Sequence, residues 1–152
     1  MKTLRFIGTT LLMVVLCLNF TACGDDDDDD TPTSEKLVGQ WTLVYEEGYE
    51  KDPAYPDDDE TWAGAPGAEC HYYGHFTFKS DESFTEYEMD NSTIGTGTWI
   101  LRNNTLALLY TGTDVSDDLE IIELTSNKLI LQRYDKRSDG EVRFYKMTYQ
   151  KK

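Results

Sequence analysis

The side chains that could do chemistry begin with one thiol. Cys23 follows an apolar leader directly and precedes Gly24 and the run Asp25–Asp30. A thiol in that position could carry lipid. A second group is Cys70, His71 and His75, spaced as Cys-His-x-x-x-His. In a strand, positions 71 and 75 share a face and 70 points away. Zinc sites also draw on spaced partners elsewhere in the chain. The expected state is a buried free cysteine and two ordinary histidines, with no metal or other cofactor. Asp57–Glu60 is four contiguous acids. Calcium loops space their ligands so that oxygens converge around a glycine turn, so this run reads as a solvated acidic loop. No Gly-x-Ser-x-Gly, no Ser/His/Asp set in a strand-turn context and no glycine-rich phosphate loop is present. The expectation is a protein that is not an enzyme.

Two sets of residues could bind instead. Tyr49, Tyr55, Trp62, Tyr72 and Tyr73 gather in and beside residues 47–71, among many acids. Aromatic faces with nearby carboxylates suit sugar rings; the same residues also serve as half-buried packing. The second set faces inward by pattern. Trp41, Phe76, Phe78, Trp99 and Leu101 belong to it, as do Leu106, Leu108, Leu129 and Leu131. They could line an apolar pocket for a small hydrophobic ligand or fill a solid core.

The elements that must position these residues are strands. Residues 37–46 set Gly39, Trp41, Leu43 and Tyr45 on one side, opposite Gln40 and Thr42. Residues 47–71 carry three prolines, three glycines and dense acids, and read as a long loop of the binding or lid kind. Alternation resumes over 71–79, 84–90 and 95–102, where Tyr87 and Met89 lie opposite Glu86 and Glu88. It continues over 105–111, 119–124, 128–134 and 141–150. Asn103-Asn104 and Ser126-Asn127 are hairpin signals. Eight strands joined mostly by short turns predict an all-β, eight-stranded antiparallel up-and-down barrel, because closure removes exposed edges.

Charge limits the partners. The chain of 152 residues has a formal net charge of −15, and loss of the leader removes two cations, Lys2 and Arg5, and no acid. Nucleic acid is excluded by repulsion, and an anionic membrane surface will not attract the chain by charge.

The leader has a positive start, then an apolar run from Phe6 to Phe20. Its continuous core, 11–18, fits an export signal better than a membrane span. Phe20-Thr21-Ala22-Cys23 resembles the bacterial lipobox. The resemblance implies acylation of Cys23, cleavage before it, and stable anchoring by several acyl chains; an ordinary secretory leader with an incidental cysteine is the alternative. Gly24 with Asp25–Asp30 is similar to the acidic stretch that directs lipoproteins to the surface of Bacteroidetes-type bacteria. The organisation expected is a signal peptide at 1–22, a lipidated cysteine with an acidic tether at 23–36, and one domain at 37–152. Residues 24–36 reach about 45 Å when extended. The location expected is the outer membrane or cell surface.

Gly39-Gln40-Trp41 at the head of the first strand resembles the lipocalin Gly-x-Trp signature, with the spacing of the small lipocalin-like domains found on bacterial lipoproteins. The resemblance implies that Trp41 plugs the closed end of the barrel beneath a basic residue from a late strand, Arg133 or Arg143. It also implies binding of a small, largely apolar ligand; presentation of the 47–71 loop to a glycan or protein partner is the alternative. Labelled palmitate is expected to attach to the expressed full chain and to be lost in Cys23→Ser. Equal labelling of the two removes the lipid anchor.

Overall fold

The structure, a computed structural model, describes residues 32–68, 70–114 and 116–152. The leader, Cys23 and the aspartate run lie outside the described residues. A short helix, α1 (Ser34–Leu37), opens the described chain, with the Thr33 side chain accepting from the Lys36 amide. Leu37, the first residue of the expected domain, is fully buried.

Nine strands follow: β1 (Gly39–Lys51), β2 (Glu60–Gly64), β3 (His75–Phe78), β4 (Ser83–Tyr87), β5 (Thr93–Arg102), β6 (Thr105–Tyr110), β7 (Ser116–Leu124), β8 (Lys128–Lys136) and β9 (Val142–Lys151). Every pairing is antiparallel. β1 and β3 to β9 form the barrel expected from the strand count, closed by β1 against β9. The long loop expected at 47–71 is a correction. β1 runs on to Lys51, and β2 folds back on it, Glu46 facing Gly64 and Glu50 facing Glu60. β2 therefore takes the far half of an edge whose near half belongs to β3. The acids and prolines concealed this, because that half of β1 carries carboxylates on its inner face.

That reversal has a local cause. The β1–β9 register slips between Leu43 and Tyr45, a bulge at Val44. A bulge inserts one residue and inverts the side to which every later side chain points. Trp41 and Leu43 face inward, as alternation predicts. Tyr45, predicted to join them, is 40% exposed, and Glu46 is inside at 5%.

The barrel has two unlike ends. Trp41, Phe76, Phe78, Phe84 and Trp99 pack with leucines from β6 to β8 into one apolar core. Phe78 meets Trp99 edge-on at 6.1 Å and stacks on Phe76 at 5.3 Å. At the closed end the Trp41 indole N–H donates to the Leu37 carbonyl at 2.7 Å. The basic residue over Trp41 is neither Arg133 nor Arg143. It is Lys151, whose Nζ lies 5.0 Å from the ring centroid and donates to the Lys36 carbonyl at 2.9 Å. Both arginines sit at the opposite end, because they occupy the mouth-side halves of β8 and β9.

Gly39 makes room for that lysine. Its φ is +144°, and a Cβ there would stand 2.3 Å from Lys151 Cε. Gly39→Ala is expected to lower stability by about 1–3 kcal/mol in urea unfolding. The double variant with Lys151→Ala is expected to recover only part of it, since the backbone strain remains; full recovery would assign the whole cost to the side-chain clash.

Candidate functional site

At the open end the inner face turns polar on almost every strand. On β8 the inward series Leu129, Leu131 continues with Arg133 and Asp135; on β6, Leu106 and Leu108 continue with Tyr110. β4 adds Glu86 after Phe84, β7 adds Asp117 before Leu119, and β9 adds Arg143 and Tyr145. These residues surround a cavity of about 600 Å³. Tyr72 and Tyr73 close one side of it from the segment before β3, and Ile94 stands at the lip.

The segment His71–Gly74 is held down residue by residue. His71 donates its amide to Glu46 at 3.1 Å and sets its ring Nδ1 2.7 Å from the same carboxylate. The Tyr72 hydroxyl donates to Glu50 and accepts from Arg143 at 3.0 Å. The Tyr73 hydroxyl accepts from Arg133 at 2.7 Å. The Gly74 amide donates to Glu86 at 3.2 Å. Gly74 is compulsory, since a Cβ there would stand 1.8 Å from the Tyr87 carbonyl oxygen. Three inward carboxylates, costly to bury without donors, thus find donors in one four-residue stretch.

The arginines are fixed as well. Arg133 pairs with Asp117 and, at 2.6 Å, with Asp135. Arg143 pairs with Glu141 and lies 3.5 Å from Glu50. Burial raises the pKa of Tyr73, Tyr110 and Tyr145, and that of Tyr72, where Glu50 adds to it. All four tyrosines therefore stay protonated donors. Burial also pushes the Glu86 carboxyl above the ordinary range, against hydrogen bonds from Tyr110 (2.6 Å) and Gly74.

The residues singled out from sequence fall into three groups. Trp41, Phe76, Phe78, Trp99, Leu106, Leu108, Leu129 and Leu131 are buried in the core; Leu101 is half-buried against it. None of the nine lines the mouth cavity. Among the rim aromatics, Tyr72 and Tyr73 do. Trp62 stacks on His71 at 4.4 Å and on Tyr145 at 6.0 Å, and Tyr49 stacks on Phe144 at 5.6 Å. Tyr55 stands 65% exposed beside the 3-10 turn Pro56–Asp58. Cys70, His71 and His75 do not converge: His75 Nδ1 accepts the Leu43 amide at 3.0 Å, and His71 faces Glu46. Among the described residues no set of three or more His, Cys, Asp or Glu could hold a metal. Burial, with Glu88 nearby, pushes the Cys70 thiol up to about 11, so it remains protonated.

Sequence reasoning missed Glu46, Glu50, Glu86, Tyr110, Asp117, Asp135 and Tyr145. For those on β6, β7, β8 and β9 the signal existed: each continues an apolar alternation at its mouth end; on β4 the expected face is corrected, since Glu86 is buried on the side of Phe84 and Tyr87 lies on the other. For Glu46 and Glu50 the bulge at Val44 erased it.

A protein-family model for a lipocalin-like domain matches residues 37–131. No curated protein matches. Among solved structures, a deswapped triple mutant of bovine odorant binding protein is similar at 15% identity, covering 77% of this chain and 74% of that one with a TM-score of 0.41.

Glu86 yields a pH test. A carboxyl whose folded pKa lies above its unfolded one contributes stability that is present below the unfolded value and lost as pH rises towards the folded one. The unfolding free energy of the wild type minus that of Glu86→Gln is therefore expected to fall as pH rises above the ordinary glutamate value of about 4.3. A difference that stays level or rises contradicts the burial argument.

Proposed function

The chain belongs to the lipocalin-like domain family, and from that premise we propose that it is an exported, lipid-anchored bacterial protein that binds a small, partly apolar molecule at the barrel mouth. The observation that carries the binding site is the cavity of about 600 Å³, bounded by four tyrosines and by arginines already locked in place. Its size lies within the range of small-molecule sites, about 300–1,000 Å³. Side chains held before the ligand arrives reduce the entropy lost on binding. The apolar face of the ligand rests on tyrosine rings, because the deeper interior is filled by the chain's own side chains. The anchor reading rests on Cys23 and its lipobox-like context, and the surface location on Asp25–Asp30.

The rim alternative, a glycan or protein partner gripped by Tyr55 and Trp62, has less support, because one Trp62 face is covered by His71. Native mass spectrometry of protein purified from its own host is expected to show a bound small molecule. The adduct should vanish in Ile94→Trp, which fills the lip, and persist in Tyr55→Ala. An adduct that survives Ile94→Trp and disappears with Tyr55→Ala transfers the site to the rim.

A further inference from the structure

Resting on the cavity reading above, we propose that this site selects a neutral polyhydroxylated ring, a mono- or disaccharide, rather than a fatty acid or another anion. The first argument is the arrangement of donors and acceptors. In the β8–β9 register Asp135 lies opposite Arg143, and Arg133 lies opposite Tyr145. Arginine can only donate and an ionised carboxylate can only accept, whereas a hydroxyl does both. A surface where the two types interleave satisfies both halves of adjacent hydroxyls. A ligand carboxylate would instead face Asp117 and Asp135 with nothing to give them.

The second argument is charge. Arg133 is already neutralised by Asp117 and Asp135, and Arg143 shares Glu141 with Arg137 and has Glu50 nearby. An anion would have to displace these charge-assisted bonds. It would also approach a chain of net charge −15. A cation would meet the same arginines, with Lys136 and Arg137 at the lip. A neutral ligand incurs neither cost.

The third argument is shape. Tyr72 and Tyr110 are half-buried and offer ring surface to the cavity, Tyr73 and Tyr145 are buried and support them, and all four hydroxyls stay protonated. That suits a molecule with an apolar face and a hydroxylated edge. A long acyl tail has nowhere to go, since Phe84, Trp99 and Met147 fill the barrel below.

The test uses the full chain in detergent micelles on an array of neutral and acidic saccharides, followed by calorimetry on each saccharide that binds, with laurate alongside. At least one neutral saccharide is expected to bind saturably. Its affinity should fall about tenfold in Asp135→Ala and in Tyr73→Phe, and change less than about twofold between 0.05 and 0.5 M NaCl. Unshifted thermal melting of both variants separates the loss from unfolding. Binding of laurate or acidic saccharides alone, or a steep salt dependence, overturns the ligand class while leaving the cavity in place. Neutral saccharide binding that survives Ile94→Trp overturns the cavity and this inference with it. An array with no neutral binder, beside a native adduct lost in Ile94→Trp, overturns only the ligand class.

Discussion

A single extra residue, Val44, divides the inner face of β1 into two chemistries. Before it, Trp41 and Leu43 point into an apolar core; after it, Glu46 and Glu50 occupy the same side. β9 pairs with β1 on both sides of the bulge, so the barrel stays closed while the side-chain parity inverts. Buried carboxylates demand donors. That demand is met by His71–Gly74, which is drawn across the mouth and brings Tyr72 and Tyr73 to the cavity. Without the bulge, Tyr45 would fill the space and the carboxylates would face water.

The two ends of the barrel divide the late cations between them. Lys151 lies over Trp41 at the closed end, where desolvation lowers its pKa and its ammonium group donates a hydrogen bond to the Lys36 carbonyl. Arg133 and Arg143 furnish the mouth, where planar guanidinium groups can engage a carboxylate and a tyrosine hydroxyl at once. A lysine suffices where one point charge caps one ring. The mouth needs groups that hold fixed directions, since a binding surface gains from polar atoms that do not reorganise.

Much of the site was legible strand by strand. Leu129, Leu131 and then Arg133 read as one inward row, and so do Leu106, Leu108 and Tyr110. The reading stopped at the last apolar residue of each row, although a half-filled barrel must become polar somewhere along its axis. Residues 47–71 defeated pattern reading for a different reason. β2 has Trp62 between exposed Glu60 and half-buried Gly64, and its partner strand had just changed parity. Neither half of that hairpin shows a clean alternation of its own.

Period-two alternation, short turns and the Gly-x-Trp opening were sufficient to specify an antiparallel barrel with an apolar interior, because each is a local property of consecutive residues. The leader and Cys23 likewise speak through order and composition alone. Which basic residue meets Trp41, and which carboxylates turn inward, depend on register. Register is decided between strands: β1 meets β9 about a hundred positions later in the chain, and one bulged residue there reassigns every side chain beyond it. The cavity is a property of that closure, assembled from β4 to β9 and the segment before β3, and no stretch of the chain contains it by itself.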